Sequence, residues 1–195
     1  MELCRFAEAL RDAGVRLLQY RDKQAGEEEI LQNARLLTEI FDGTEAVLVM
    51  NDFPELARRA GWCAVHVGQE DTAVMEARLL LDPECIIGCS THNSGQVRGA
   101  EAAGADYIAI GPVYSTSSKR DPDPMVGLEG VRRARALTKR PLVAIGGITS
   151  ENAASVIAAG ADTVAVIGAL MRPQASPGAW VREFLDVMPP AMLSK

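Results

Sequence analysis

The chain has 195 residues, of which 48% are hydrophobic and 24% are charged, a composition typical of a soluble globular protein with one sizeable core. Its formal net charge of −6 argues against a nucleic-acid-binding surface, which needs clustered Lys and Arg side chains. No apolar stretch approaches the roughly 20 residues of a membrane helix, and the first residues do not begin a signal peptide. We therefore expect a cytoplasmic protein without membrane or nucleic-acid partners, in which residues 1–195 form a single domain. The sequence neither requires nor excludes a homo-oligomer.

Short apolar runs along the chain predict buried strands. They are Val15–Tyr20, Ala46–Met50, Cys63–Val67, Ile86–Cys89, Tyr107–Ile110, Leu142–Ile145 and Thr163–Ile167. Because the runs are nearly continuous in apolar residues rather than alternating, we expect strands that are covered on both faces. Four of the runs follow a small-residue segment with a glycine, which is typical of a helix that has just ended.

Segments with helical periodicity lie between these strands. Glu27–Phe41 carries its apolar residues on one face, and Leu128–Leu137 and Ala153–Ala159 do the same. Strand and helix alternate over about 25 residues per unit, which predicts a parallel α/β fold.

The same alternation occurs in open doubly wound sheets and in (β/α)8 barrels. The GxGxxG motif of an open dinucleotide-binding sheet is absent, and repeated units of even size favour the barrel. The sequence therefore predicts an α/β protein with a (β/α)8 TIM barrel that does not show its first β-strand, because the helix Leu3–Ala13 stands where a barrel begins with a strand. Either residues upstream are absent from this sequence or the natural start is short. A barrel without that strand would have two exposed strand edges.

Polar residues follow the predicted strands, and the C-terminal strand ends of a barrel carry its active site. Asp52 and Asp71 follow neighbouring strands. Two carboxylates, several waters and substrate phosphate oxygens form the octahedral set that Mg²⁺ prefers. Either aspartate alone could instead cap the following helix. The pair, beside Asn51, favours magnesium.

Cationic side chains and glycines at the same strand ends predict phosphate binding. Arg21, Lys23 and Lys119 supply positive charge for a diphosphate, Arg as a fork and Lys as a point charge. Gly146–Gly147 and Ile167–Gly168 follow the last two strands, where barrels often bind phosphate through backbone N–H groups. The alternatives are a solvated surface lysine at Lys23 and a plain tight turn at Gly147.

The remaining features have two interpretations each. The segment Tyr114–Asp123 is rich in Ser, Thr, Lys and Pro, which predicts a mobile lid or a disordered surface loop. His92 is either a base or, beside Asn93, part of a helix cap, and we assign it no role. His66 lies within a strand and is expected to be a core or barrel-lining residue.

The four cysteines, Cys4, Cys63, Cys85 and Cys89, have no CxxC spacing and no flanking pair of histidines. The sequence therefore predicts neither a zinc site nor a disulfide framework. We expect reduced thiols, with Cys63 and Cys89 in apolar runs of the core.

Six motifs, in order, resemble those of the thiamine phosphate synthase family over roughly residues 6 to 172. They are Gln19-Tyr20-Arg21-Asp22-Lys23, Asn51-Asp52, His66-Val67-Gly68-Gln69-Glu70-Asp71, Gly88-Cys89-Ser90-Thr91-His92-Asn93, Gly111-Pro112-Val113-Tyr114-Ser115-Thr116-Ser117-Ser118-Lys119 and Ala144-Ile145-Gly146-Gly147-Ile148. Each motif alone is weak, but six linked motifs are highly specific.

The resemblance implies an enzyme with Mg²⁺ as cofactor that joins a pyrimidine diphosphate to a thiazole phosphate. The implied reaction is dissociative: diphosphate leaves, a pyrimidine-methyl cation forms, and the thiazole nitrogen captures it. The implied site residues are Gln19, Arg21, Lys23, Asn51, Ser90 and Lys119 for the pyrimidine diphosphate, Asp52 and Asp71 for Mg²⁺, and Thr116, Ser118, Gly147, Ile167 and Gly168 for the thiazole phosphate. Ser90 and Lys119 would also act in catalysis.

Three features depart from the family pattern: Phe53 replaces a basic residue, Gly168 replaces the usual Ser, and the first strand is not seen. Two other functions fit the same barrel. One is a thiazole tautomerase that isomerises the thiazole carboxylate phosphate without Mg²⁺, and the other is an inactive ligand-binding or regulatory barrel. Retention of Asp52, Asp71 and the Gln19–Lys23 motif favours the synthase.

Overall fold

The computed structural model describes residues 2–116, 123–171 and 176–188. Strands and helices alternate throughout these ranges. The elements are α1 (Leu3–Asp12), β1 (Leu17–Tyr20), α2 (Glu27–Ile40), β2 (Val47–Asn51), α3 (Pro54–Ala60), β3 (Ala64–Val67), α4 (Val74–Leu80), β4 (Ile86–Thr91), α5 (Ser94–Ala102), β5 (Tyr107–Ile110), α6 (Gly127–Leu137), β6 (Leu142–Ile145), α7 (Ser150–Ala158), β7 (Thr163–Ala165), a 3₁₀ helix (Gly168–Met171) and α8 (Pro177–Val187). No helix in the described ranges is long and apolar enough to cross a membrane.

The strands are parallel and their order in the sheet follows the order in the chain, β1 to β7. In the register, Gln19 pairs with Val49, and Ile145 pairs with Ala165. An open doubly wound sheet reverses its strand order at a switch point, whereas a (β/α) barrel keeps chain order. The predicted (β/α)-barrel fold class is therefore confirmed.

The described residues form two compact units, whose boundary in the sequence lies between Cys89 and Ser90. The first unit contains α1 to α4 with β1 to β3 and most of β4, and the second contains the remaining elements. In each unit a central strand is buried along its whole length, β3 in the first and β5 in the second. Both strands are therefore covered on both faces, as their nearly continuous apolar sequence predicts.

The helix periodicity read from the sequence matches the buried face of α2. Ile30, Leu31, Ala34, Leu37 and Ile40 are buried, and glutamates occupy its first turn. Full burial of one such aliphatic side chain contributes about 1.5–3 kcal/mol to stability. Helix packing of this kind holds each strand in place, so that its polar C-terminal end can serve as a site.

Cys63 and Cys85 form a disulfide, and the expectation of reduced thiols at these positions is wrong. Cys63 directly precedes β3 and Cys85 directly precedes β4, and the N–H of Ile86 donates to the carbonyl of Cys63. Because neighbouring parallel strands start side by side, the two Cα atoms lie 4.6 Å apart although 22 positions separate the residues. Cys4 and Cys89 are free thiols, and Cys89 is buried as expected.

The disulfide is expected to stabilise the fold by closing a loop in the unfolded chain. Cys63→Ser should lower the free energy of unfolding of the oxidised protein by about 3 kcal/mol, the chain-entropy value for a loop of this length. Urea unfolding measures the difference, and Cys4→Ser is the control without a lost bond. Denatured wild type should show two reactive thiols before reduction and four after it. Four thiols before reduction would contradict the disulfide.

Candidate active site

Three charged side chains meet at the C-terminal ends of β1, β2 and β3 in the first unit. Lys23 Nζ lies 2.8 Å from Asp52 Oδ2 and 3.5 Å from Asp71 Oδ1. Asp52 follows β2 and Asp71 follows the neighbouring strand β3. Lys23 follows β1, which lies on the other side of β2. The structure therefore brings together the carboxylates that the sequence singled out, with a predicted phosphate-binding lysine beside them.

Asp52 is the most constrained member of this group. Its side chain is only 7% exposed, and its backbone has a φ of +66°, a left-handed conformation that is uncommon outside glycine. Burial raises the pKa of Asp52 above its ordinary value, and the neighbouring Lys23 ammonium offsets this only in part. Asp52 Oδ2 is buried and, apart from the ion pair with Lys23, has no well-oriented hydrogen bond within the described ranges.

Asp71 is held in a different environment. Its Oδ2 accepts a hydrogen bond of 2.9 Å from the backbone N–H of Gly68. Burial acts to raise the pKa of Asp71, but the neighbouring Asp52, which takes up a proton first, the charge of Lys23 and the Gly68 N–H together hold it below the ordinary value. Asp71 is therefore an anchored carboxylate that stays ionised.

This pair fits a divalent cation of the oxygen-binding type. A buried carboxylate oxygen that lacks a well-oriented donor gains most from a nearby positive charge. No group of three or more His, Cys, Asp or Glu side chains in the described ranges is placed to hold a metal. Water and substrate oxygens would therefore have to complete the coordination, as Mg²⁺ sites commonly allow.

The other residues predicted for this unit surround the pair. Asn51 is buried at the end of β2, directly before Asp52. Gln19 is half-buried within β1, and Arg21 is exposed directly after it. Hydrogen bonding to Asp52 is the main cause that raises the pKa of Lys23, so this lysine stays fully charged.

In the second unit, the segments that follow β5 and β6 lie against each other. The N–H of Tyr114 donates to the carbonyl of Gly146 at 3.0 Å. A Cβ atom on Gly147 would lie 2.4 Å from the carbonyl oxygen of Ser115, and Gly147 has a φ of +67°. Residue 116, a predicted phosphate ligand, therefore directly follows a segment that contacts Gly147.

Other predicted phosphate ligands follow the neighbouring strand β7. Ile167 is exposed, and Gly168 begins the 3₁₀ helix. Ser90 is half-buried within β4. Ser118 and Lys119 lie outside the described residues, as does most of the predicted lid.

Comparison with known proteins gives a consistent result. The family model described as thiamine monophosphate synthase matches residues 1–170. The chain is 50% identical over 186 residues to the thiamine-phosphate synthase of Koribacter versatilis, which covers 95% of this chain and 86% of that protein. The chain belongs to the thiamine monophosphate synthase family.

Solved structures agree with this family assignment. A thiamine phosphate pyrophosphorylase from Pyrococcus furiosus superposes with a TM-score of 0.85 and 30% identity, covering 96% of this chain and 89% of that one. A 3-hexulose-6-phosphate synthase structure superposes with a TM-score of 0.67 at 17% identity, a likeness of fold alone. The thiamine-phosphate synthase of Moorella thermoacetica is 41% identical, over 88% of this chain and 80% of that protein.

Gly68 lies directly against the Asp71 carboxylate, and its sequence motif alone assigned it no role. A Cβ atom on Gly68 would lie 2.4 Å from Asp71 Oδ2, so the carboxylate occupies the space that any larger residue would need. The only signal in the sequence is that Gly68 stands three residues before Asp71 in one motif. Glycine here permits both the close approach and the hydrogen bond.

Gly68→Ala is expected to weaken divalent-cation binding by about 10–100-fold, the usual cost of disturbing a group that orients a ligand. The fold should survive, because the obstructed atom is the end of a side chain that can turn away. Mn²⁺ binding followed by electron paramagnetic resonance measures the effect. Gly26→Ala is the control, since a Cβ atom there meets nothing within 4 Å. Equal Mn²⁺ affinity in the two variants would contradict this role.

His66 lies in β3 as a buried residue, and burial lowers its pKa from 6.5 to about 4, although the nearby Asp71 acts to raise it. The unfolded chain therefore binds a proton near pH 6.5 that the folded chain accepts only near pH 4. The contribution of neutral, buried His66 to the free energy of unfolding is complete above pH 6.5. It is lost as the pH falls towards 4, about 3 kcal/mol in total. Urea unfolding of wild type and His66→Gln between pH 7 and 4.5 should give a steeper decline for wild type. Parallel declines would contradict this assignment.

Proposed function

We propose that the chain is a thiamine phosphate synthase. It would condense 4-amino-2-methyl-5-(diphosphooxymethyl)pyrimidine with thiazole phosphate, or its carboxylate, to give thiamine phosphate and diphosphate. The observation that carries the proposal is the buried Asp52 with Asp71 and Lys23 at one cluster of strand ends, in a member of this family. Carboxylates for a cation beside a lysine for phosphate are the groups that a diphosphate leaving group requires.

In this proposal, the diphosphate and Mg²⁺ are held mainly by residues of the first unit. Asp52 and Asp71 would hold Mg²⁺, which when bound supplies positive charge next to the leaving diphosphate. The residues that would contact the pyrimidine diphosphate are Gln19, Arg21, Lys23, Asn51, Ser90 and Lys119. Phe53, where a basic residue is usual, is partly exposed at the position before α3 and adds no charge.

The chemistry proposed for this site is a dissociative displacement. The carbon–oxygen bond to diphosphate breaks, and its electron pair leaves with the diphosphate. The lone pair of the thiazole nitrogen then forms the new carbon–nitrogen bond with the pyrimidine-methyl cation. Lys23 and Lys119 would stabilise the charge on the departing group, and Ser90 would position the pyrimidine.

The thiazole phosphate would be bound by the second unit. Its ligands would be the side chains of Thr116 and Ser118 together with backbone groups at Gly147, Ile167 and Gly168. Gly168, where Ser is usual, offers no hydroxyl, so this contact would rely on the backbone N–H alone. Backbone N–H groups after the last strands of a barrel commonly bind phosphate.

We place the enzyme in the cytoplasm with phosphorylated small molecules as its partners. Two alternatives remain for the test to separate, a thiazole tautomerase and an inactive ligand-binding or regulatory barrel. Retention of Asp52, Asp71 and Lys23 favours the synthase, because an isomerisation without metal needs neither carboxylate.

The test supplies purified protein with Mg²⁺ and both substrates, and detects thiamine phosphate as its fluorescent oxidation product. We expect product with Mg²⁺ and none with excess EDTA. Calorimetry should show that EDTA removes binding of the pyrimidine diphosphate but leaves binding of the thiazole phosphate nearly intact. Isomerised thiazole without condensation would identify a tautomerase, and binding without turnover would identify an inactive barrel. Either outcome would overturn the proposal.

A further inference from the structure

The ring of His92 bridges two separate pieces of the second unit. Its Nδ1 atom lies 2.5 Å from the carbonyl oxygen of Gly111, directly after β5, and its Nε2 atom lies 3.3 Å from Asp123 Oδ2. Because a carbonyl oxygen only accepts hydrogen bonds, Nδ1 carries the hydrogen and donates it. The side chain is 16% exposed, so this contact is largely shielded from water.

The backbone around His92 is itself fixed. The N–H of His92 donates to Gln96 Oε1 at 2.6 Å, and Asn93 Oδ1 accepts from the N–H of Gln96 as the cap of α5. One residue earlier, Thr91 accepts the N–H of Gly111 with its carbonyl oxygen and donates its hydroxyl to the carbonyl of Ala109. These hydrogen bonds hold the backbone of His92 in the position from which its imidazole contacts Gly111.

Gly111 in turn is packed against the strand that leads to Gly147. A Cβ atom on Gly111 would lie 2.2 Å from the carbonyl oxygen of Ile145, so the two backbones touch with no space between them. The same carbonyl accepts the N–H of Val113. A shift of the Gly111 peptide towards β6 would therefore press on Ile145, which directly precedes Gly146 and Gly147.

Both ring nitrogens are occupied, which argues against His92 as a general base. Nδ1 donates to Gly111, and Nε2 faces the carboxylate of Asp123. A general base needs a free nitrogen within hydrogen-bond reach of the substrate proton. The ring is instead placed to hold the backbone segment that directly follows β5.

We propose that His92 is a positioning residue for the thiazole phosphate site: its Nδ1–H holds the Gly111 carbonyl, and through it the backbone around Gly147. This inference rests on the proposed function, because it takes Gly147 and Thr116 as ligands of that phosphate. It predicts that loss of the Nδ1 contact harms thiazole phosphate binding and leaves pyrimidine diphosphate binding unchanged.

Two amide substitutions separate the two ring contacts. In His92→Asn the amide nitrogen stands at the place of Nδ1 and can still reach the Gly111 carbonyl. In His92→Gln the amide nitrogen stands at the place of Nε2 and cannot. We expect His92→Gln and His92→Ala to raise the KM for thiazole phosphate about tenfold, the effect of one lost hydrogen bond of ordinary strength. His92→Asn should stay within about threefold of wild type on the same ground.

The KM for the pyrimidine diphosphate should change less than about twofold in every variant, since the contact lies outside the proposed diphosphate group. Calorimetric titration with thiazole phosphate alone checks the binding term without turnover. Thermal melting shows whether the His92→Asn and His92→Gln variants are equally stable. This pair of variants tests the positioning role even if His92→Ala does not fold.

Equal effects of Asn and Gln, or a parallel rise of both KM values, would overturn the positioning role and leave only a structural one. A wild type that binds thiazole phosphate but forms no thiamine phosphate would instead overturn the proposed function. In that case the calorimetric comparison of Asn with Gln still tests the role of His92. The two failures are therefore distinguishable.

Discussion

Asp52→Asn is expected to lower the rate of thiamine phosphate formation by about 10²–10³-fold, the usual cost of losing one group that stabilises developing charge. The side chain keeps its shape but loses the negative charge that would hold Mg²⁺ beside the diphosphate. Asparagine tolerates the left-handed conformation that residue 52 adopts, with its φ of +66°, better than alanine does. The fold should therefore remain intact.

Stability should change little or increase in Asp52→Asn. Burial raises the pKa of Asp52, which means that the folded state disfavours its charge. Replacing the carboxylate with a neutral amide removes this cost, although it also removes the ion pair with Lys23. A variant that is as stable as wild type and yet slow would separate function from folding.

The measurements are kcat and KM with saturating Mg²⁺, Mn²⁺ affinity by electron paramagnetic resonance, and the melting temperature. Asp82→Asn, an exposed aspartate in the loop before β4, is the matched control and should retain wild-type rates. A rate for Asp52→Asn equal to that control would rule out Asp52 as a metal-binding carboxylate.

Gly147→Ala is expected to lower the free energy of unfolding by about 3 kcal/mol and to abolish measurable thiazole phosphate binding. The new methyl group would lie 2.4 Å from the carbonyl oxygen of Ser115 and 2.8 Å from the carbonyl carbon of Tyr114, both of them backbone atoms that cannot simply turn away. Overpacking typically costs about 1–3 kcal/mol, and the left-handed backbone adds about 1 kcal/mol for any residue with a Cβ atom.

Gly127→Ala separates these two contributions. Gly127 has a similar φ of +61°, but a Cβ atom there meets nothing within 4 Å. Its substitution should therefore cost only the backbone strain, about 1 kcal/mol, and leave thiazole phosphate binding unchanged. Urea unfolding and calorimetric titration measure both variants. Equal losses in the two would show that conformation alone, and not the close approach to Ser115, requires glycine at position 147.

The strands of this protein were predictable because each one lies in a short, nearly continuous apolar run. Tyr107–Ile110 and Leu142–Ile145 were placed with the bounds that the structure has. The parallel barrel class followed from the repeat, since parallel neighbours need a helix between them. The meeting of Asp52 and Asp71 also followed, because the ends of successive parallel strands are neighbours in space.

Only the tertiary structure decided the features that depend on register and depth. The Cys63–Cys85 disulfide joins residues without any spacing signal, and it forms because two strands begin side by side. The close approach of Gly68 to Asp71 depends on how the loop after β3 folds, and the contact of His92 with the Gly111 carbonyl forms because β4 and β5 end side by side. The physical reason is that a sequence pattern records periodicity and adjacency along the chain, whereas burial and close approach arise only when separate segments pack against one another. The sequence by itself therefore determined the fold class and the chemical types at the strand ends, and packing decided how those groups are buried, oriented and held.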